Sequence, residues 1–350
     1  MIDENKTIPH RRPRCAEALY PLLQQKIDDY VSKGLWEKVA VESAPPLLAL
    51  PKPKADGLKL RAVVDKRSVN DNTVKDLTPF PDQSLIRRDF ARAKYRSKLD
   101  MTDAYEQVRI IPEHVNRTAF ATPMGCFISK VLQQGDCNAP ATFQRLMSTI
   151  FSEGIGSWIH VYLDDIFVFT NTLDEHERCL QRVFDILQSE ELFLSQDKVY
   201  FFTESSECLG FTVDDEGIHP DPAKIRAIMD WPEPSNPKDI MRFLGLVNYI
   251  MNQVPLLSIK SASLSNLTHL DEKWRWGPVE MASFQSVKQA VENHLVLKPI
   301  DWVAASSNPN MKVFVVCDAS SSGVGAVLGQ GMESFSYCRH VVLTILGSSR

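Results

Sequence analysis

Nowhere in this 350-residue sequence does an apolar run approach the length needed to cross a bilayer, so no membrane partner is expected. The opening stretch Met1-Ile-Asp-Glu-Asn-Lys6 lacks the apolar segment of a secretory signal, and a cytoplasmic or nuclear location is expected. Cysteine is sparse and unpaired. The seven residues, at positions 15, 126, 137, 179, 208, 317 and 338, show no paired spacing and read as reduced thiols rather than a disulfide frame. No His and Cys residues stand at zinc-ligand spacing. Excess positive charge is also missing: the net charge is −5, which argues against indiscriminate adhesion to nucleic acid. Apolar content of 44% and charged content of 24% fit a globular fold, and the length allows two or three units with their own cores.

What the chain does have is an unusual set of acids. Tyr162-Leu-Asp-Asp165 lies between two apolar runs, Trp158 to Leu163 and Ile166 to Phe169, both rich in β-branched and aromatic residues. Each run reads as a strand, and the short connection reads as a tight hairpin with two adjacent carboxylates at its tip. Such neighbours repel, and water or a divalent cation must offset the repulsion. A third acid, Asp100, ends the segment Tyr95-Arg-Ser-Lys-Leu-Asp100, just before Met101-Thr-Asp-Ala-Tyr105. A strand carrying Asp100 beside the hairpin would bring three Asp side chains together. Three carboxylates make a hard-oxygen site suited to Mg²⁺.

Local charge departs from the net value. Arg87, Arg88, Arg92, Lys94, Arg96 and Lys98 face a single acid, Asp89, and Lys52, Lys54, Lys59, Arg61, Lys66 and Arg67 form a second basic stretch. A stripe of this kind is what a groove tracking a phosphate backbone needs, although a solvated helix face has the same composition. Elsewhere the pattern predicts a helix over 16–35 and an extended Pro-rich stretch over 46–54. A turn at Asp56-Gly57 and a strand over 60–64 follow. A helix over 140–152 places Phe143, Leu146, Met147, Ile150 and Phe151 at helical spacing, beneath the sheet that carries the acids. A later helix places Leu180, Val183, Phe184 and Leu187 on its buried face. Strands are predicted over 199–202 and 208–213, then a Pro-rich boundary between Pro220 and Pro237. Trp274 and Trp276 are expected to be buried in a small core.

At these residues the chain resembles the reverse transcriptase of Gypsy-type (Metaviridae-like) long-terminal-repeat retrotransposons, the fungal versions above all. Tyr162-Leu-Asp-Asp165 is similar to the family's polymerase box and Leu99-Asp100-Met101 to the box with its first catalytic Asp. Further blocks agree in order. They are Leu60 to Asn70 in the fingers, Gln134-Gly135 with Asn138 to Gln144 in the palm, Leu209-Gly210-Phe211 at the primer grip, and Gly217 to Pro222, Trp231-Pro232 and Phe243 to Tyr249 in the thumb and connection. Val313 to Ser320 and Gly323 to Leu328 resemble the opening strands of a retroelement RNase H domain. The chain departs from the usual wording at Asp103-Ala104-Tyr105 and at Gln133 to Cys137, and 252–270 matches poorly.

The resemblance implies an α+β right-hand polymerase: fingers and palm over 1–215, a thumb-like segment over 216–255, a connection over 256–310 and a truncated RNase H-like segment over 311–350. It implies RNA-directed DNA polymerase activity on an RNA or DNA template with a primer and dNTPs, and two Mg²⁺ ions, or Mn²⁺, on Asp100, Asp164 and Asp165. The Met101 carbonyl would add an oxygen. Lys54, Arg61, Ala104, Tyr105 and Gln134 would surround the nucleotide, with Tyr105 as the sugar gate. Leu209 and Gly210 would form the primer grip, Gly210 letting the primer backbone approach. Asp318 matches the first nuclease carboxylate, but beyond it only Glu333 remains, so no nuclease activity is expected. The alternative is an inactive retroelement remnant that keeps the fold and binds nucleic acid. A different two-metal nucleotidyl transferase with a shared palm is disfavoured by the ordered blocks.

Overall fold

The computed structural model describes residues 12–54, 57–254, 257–269, 272–293, 299–320, 323–331 and 339–343. The chain divides into two compact units. The first comprises Met1–Pro81, Ser97–Val168 and Leu173–Phe201; the second comprises Asp82–Arg96, Phe169–Thr172 and Phe202–Arg350.

In the first unit, the predicted N-terminal helix runs over Tyr20–Ser32 and the chain turns at Gly34, whose φ of 66° suits glycine. Leu23, Ile27 and Tyr30 form its buried stripe and pack with Trp36, Leu47, Val64, Phe120 and Phe127. The Pro-rich stretch is the strand Leu47–Lys54, which pairs antiparallel with Gly57–Val64. The predicted turn at Asp56 lies outside the described residues.

The acidic residues lie on a four-stranded sheet with the order Ile159–Tyr162, Asp165–Thr170, Tyr95–Met101, Leu194–Tyr200. Two helices cover it. Ala139–Ile150 contributes Phe143 and Met147, and Leu173–Ser189 contributes Leu180, Val183, Ile186 and Leu187, to one cluster with Leu99, Ile159, Val161, Ile166 and Val168. At about 1.5–3 kcal/mol per fully buried large apolar side chain, this cluster is the main force that fixes the sheet. Phe184 departs from the predicted face: it is exposed and packs edge-on against Phe201, while Ile186 is buried instead.

In the second unit, the helix Gln83–Arg92 is capped by the Asp82 side chain, which accepts from Ser84 N–H at 2.8 Å. The predicted strand over 208–213 is in fact a hairpin. Ser206–Cys208 pairs with Phe211–Val213, which pairs with Ile218–Pro220. The break falls at Leu209 (φ 50°) and Gly210 (φ 82°), both at the positive φ that a type I′ turn requires. Helices Pro222–Met229, Pro237–Asn248 and Pro278–Asn293 bury Ile228, Ile240, Phe243, Val247, Phe284, Val287 and Val291. Trp274 and Trp276 stack at 6.0 Å, and Trp276 meets Phe284 edge-on at 5.9 Å. Trp274 stays partly exposed. Lys312–Ser320, Gly323–Gly331 and Arg339–Leu343 form a separate antiparallel sheet.

Candidate active site

The hairpin turns over Leu163 and Asp164, with Tyr162 opposite Asp165. The two carboxylates therefore do not share the tip: Asp164 is exposed in the turn, and Asp165 begins the second strand half-buried. Leu163 takes φ 53°, where an L-residue gives up about 1–2 kcal/mol. A buried amide holds it there. Gln144, on the Ala139–Ile150 helix, accepts from Leu163 N–H at 2.7 Å and donates to the Val161 carbonyl at 3.1 Å. Gln144 ends the palm block Asn138 to Gln144, and nothing local in the sequence signals a bond to a residue 19 positions away.

Asp100 lies on the neighbouring strand, and Met101 N–H donates to the Asp164 carbonyl at 3.0 Å. The backbones of the three acids are thus adjacent, as the strand argument expects. Their side chains are not gathered. Among the described residues, no three His, Cys, Asp or Glu side chains stand together at metal-holding spacing. Lysines hold two of the carboxylates: Lys198 donates to both Asp100 oxygens at 3.0 and 3.1 Å, and Lys98 pairs with Asp165 at 3.2 Å. The physical reason is repulsion, since uncompensated carboxylates this close draw in the nearest cations. The Lys198 ammonium is held above the usual lysine range by its hydrogen bond to Asp100, and the charges of Asp100, Asp164 and Asp165 add to the effect. One cation therefore feels all three acids at once. An all-carboxylate set whose field converges on a cation fits a hard divalent ion.

Tyr105 lies four residues beyond Met101, on the 3₁₀ turn Ala104–Gln107, with Ala104 buried. Its ring meets Phe143 edge-on at 5.7 Å. Burial raises its hydroxyl pKa, and the charge of Asp164 raises it further, which puts the hydroxyl within the field of the acidic turn.

Gln134 lies in a loop locked to the end of the Gly57–Val64 strand. Its carbonyl accepts from Val64 N–H at 3.3 Å. Asn70 donates to the Gly135 carbonyl at 2.8 Å and accepts from Cys137 N–H at 3.0 Å. Buried Lys66 pairs with Asp136 at 2.6 Å. Gly135, at φ 114°, is required here because a Cβ would meet the Val64 carbonyl at 2.4 Å. The same strand carries Arg61, exposed, with no ion pair to any described residue. The side chain of Lys54 lies outside the described residues, as do those of Asp318 and Glu333. The Asp318 backbone stands opposite Gly325 in the C-terminal sheet.

The basic stretch is not the continuous surface stripe that composition implies. Arg96 is buried, donating to the carbonyls of Phe90, Ala91 and Glu204 and to Asp215 at 2.8–3.4 Å. Lys98 is buried against Asp165, Lys66 against Asp136, and Arg67 is engaged by Asp65. Arg87 lies over the Phe211 ring at 4.5 Å, and Arg92 donates to the Ile300 carbonyl at 2.7 Å. Arg88 and Lys94 remain exposed.

The Leu209-Gly210 turn has its own lock. Gly210 N–H donates to Glu207 at 2.6 Å, and the Tyr249 hydroxyl donates to the Gly210 carbonyl. A Cβ on Gly210 would meet that hydroxyl at 2.5 Å, so the glycine makes room for Tyr249. Tyr249 stacks on Phe211 at 4.6 Å.

The comparisons with known proteins converge on the same segment. Residues 50–213, which include the acidic hairpin, the Asp100 strand and the Gln134 loop, match the family described as reverse transcriptase (RNA-dependent DNA polymerase). This segment is a reverse transcriptase domain. The polyproteins of transposons Tf2-3 and Tf2-7 from Schizosaccharomyces pombe are each 28% identical over 344 residues, covering 96% of this chain and 24% of the polyprotein. The chain thus spans about a quarter of the length of these curated relatives. Among solved structures, a foamy viral protease-reverse transcriptase in complex with double-stranded DNA matches with a TM-score of 0.80 at 24% identity, over 98% of this chain and 59% of that one. The same viral enzyme in complex with an RNA/DNA hybrid matches with a TM-score of 0.74 at 24% identity, over 97% of this chain and 44% of that one. These likenesses show the fold of the reverse transcriptase chain, the right-hand polymerase architecture of mixed helix and sheet.

Proposed function

We propose that this chain is an RNA-directed DNA polymerase from a retrotransposon polyprotein, extending a primer 3′-hydroxyl on an RNA or DNA template. The observation that carries the reading is the bond between Met101 N–H and the Asp164 carbonyl, which sets Asp100 beside Asp164-Asp165. Asp100, Asp164 and Asp165 would hold two Mg²⁺ ions, or Mn²⁺. Bound there, such ions would supply Lewis-acid stabilisation of the negative charge developing on the reacting oxygens. The residues supply the rest. Lys198 and Lys98 neutralise the acids until the ions arrive. Arg61 offers forked donors to a triphosphate, and Lys54 is assigned the same role. Ala104 and Tyr105 close under the ribose, where an aromatic ring leaves no room for a 2′-hydroxyl. Gln134 contacts the incoming nucleotide, and Leu209-Gly210 supports the primer end.

In this reading fingers and palm occupy 1–215, the thumb 216–255, the connection 256–310 and an RNase H-like start 311–350, and the protein works in the cytoplasm or nucleus. The relatives resolved on duplex DNA and on an RNA/DNA hybrid support a primed template as partner. Primer extension on poly(rA)/oligo(dT) with Mg²⁺ or Mn²⁺ tests the proposal. Extension by the natural sequence, abolished in Asp164→Asn/Asp165→Asn, is expected; extension surviving that double change would remove the site assignment. The second reading, an inactive remnant that binds nucleic acid, is favoured by the lysine pairs on Asp100 and Asp165. Binding of primed template without extension under either ion would establish it.

A further inference from the structure

The turn that presents Tyr105 is short and has little to hold it from within. Ala104–Gln107 is a single 3₁₀ turn, entered through Asp103 at φ 42°. Such turns have poor hydrogen-bond geometry, so outside contacts decide where the side chains stand. Each of three consecutive residues is tied to a different element. Tyr105 packs on Phe143. Gln107 donates to the Phe193 carbonyl at 3.0 Å and accepts from Phe193 N–H at 2.7 Å, and it also donates to the Thr102 carbonyl.

Glu106 points towards the N-terminal helix. Its carboxylate accepts from the Tyr30 hydroxyl and lies 3.6 Å from Lys26, which itself donates to that hydroxyl at 3.0 Å. Only 15% of the Glu106 side chain is exposed, so a charged hydrogen bond there is strong and expensive to lose. Burial and the neighbouring Glu106 hold the Tyr30 hydroxyl far above the usual phenol range, so it remains a donor. The Tyr30 ring is in turn fixed against Trp36 at 4.7 Å and under Lys26 at 4.1 Å. No primed template or nucleotide touches this triad in the reading above. It ties the N-terminal helix to the turn at Glu106, the residue next to Tyr105.

We propose that Tyr30, Glu106 and Lys26 form a clamp that positions Tyr105 for sugar discrimination, and that Glu106 and Tyr30 are specificity-determining positioning residues of this polymerase. The clamp rests on the reading of Tyr105 as the sugar gate. A ring that excludes a 2′-hydroxyl works by contact, and a displacement of about 1 Å is enough to cost up to a hundredfold in a reaction that depends on it. Loosening Glu106 lets the ring retreat and admits the ribonucleotide.

The test is steady-state incorporation of a dNTP and the matching rNTP by the full chain and four variants: Tyr30→Phe, Glu106→Gln, the two combined, and Tyr105→Ala. Both single changes keep side-chain shape, and thermal melting verifies folding of each. The clamp predicts a roughly fivefold to tenfold fall in the ratio of KM for rNTP to KM for dNTP in either single variant, with kcat for dNTP little changed. The double variant should lose no more discrimination than one single, since both changes open the same bond. A merely structural role would lower stability and kcat for both nucleotides alike and leave the ratio unmoved. If Tyr105→Ala relaxes discrimination while Tyr30→Phe and Glu106→Gln do not, the clamp is overturned and the gate stands. If Tyr105→Ala changes nothing, the gate reading itself is wrong and the clamp falls with it. Should one single variant fail to fold, the other decides by the same ratio.

Discussion

Gln144 shows what a single buried side chain does for the acidic hairpin. Its amide satisfies Leu163 N–H and the Val161 carbonyl from inside the core, against the strain of Leu163 at positive φ. Gln144→Leu leaves both groups unpaired, at about 1–3 kcal/mol for each that stays buried. Urea unfolding should show a loss of about 2–4 kcal/mol, and primer extension should fall more than tenfold. An unchanged midpoint with unchanged extension would show that the turn holds itself. Gly210 makes a second case. Alanine there meets both a φ of 82° and the Tyr249 hydroxyl. Gly210→Ala should cost about 1–3 kcal/mol, and adding Tyr249→Phe should restore part of it; no recovery in the double variant would mean that conformation alone requires the glycine. The three acids were legible because Asp-Asp between two apolar strands and a strand-borne Asp100 are local patterns. Gln144, Lys198 and Tyr249 were not, because each acts across a long sequence separation through a bond that no periodicity encodes.

The helix Leu173–Ser189 is tied to the Asp100 strand by a buried polar pair as well as by its apolar face. His176 and Ser97 are fully buried, with Ser97 Oγ 2.7 Å from His176 Nε2. Burial depresses the imidazole pKa to about 4. The folded state thus favours neutral histidine, the unfolded chain takes up a proton near 6.5, and stability falls as pH drops from 6.5 towards 4. Between pH 7 and pH 5 the loss from this group is about 2 kcal/mol. Denaturant midpoints at the two pH values, with His176→Gln as the reference, measure it; equal acid sensitivity in both proteins would contradict the assignment. Helices were easier to read than strands here. Ala139–Ile150 and Leu173–Ser189 carry several turns of apolar spacing, and one exposed Phe184 does not disturb the pattern. The strand expected over 208–213 is broken because Leu209 takes a positive φ that its side chain gives no hint of, and only Gly210 beside it marks the turn. Composition also misread the basic segment. Arg96 is a buried strut: Arg96→Met should destabilise by about 1–3 kcal/mol because the carbonyls of Phe90, Ala91 and Glu204 lose a donor, while the exposed Asp215 keeps its water. Thermal unfolding checks this, and a neutral result would show that these bonds do not hold the segment.

At the scale of the molecule, the right-hand polymerase fold was legible from the order of its motif blocks, and the two compact units were not. Segments 82–96 and 169–172 leave the first unit and belong to the second, a partition set by long-range packing. The acids lie in the first unit on a sheet whose core is almost wholly apolar, which makes their placement rigid and leaves Lys198 and Lys98 as the nearest counter-charges. The central claim is that this arrangement gives way to a divalent site when primer, template and nucleotide are present. Anomalous diffraction from crystals grown with Mn²⁺, primed template and a non-extendable dNTP tests it most directly. The account predicts Mn²⁺ bound by oxygens of Asp100, Asp164 and Asp165 at about 2.0–2.3 Å, with the Lys198 ammonium displaced from Asp100. Nucleotide and primer bound with Asp100 still paired to Lys198, and no Mn²⁺ on the three aspartates, would contradict it.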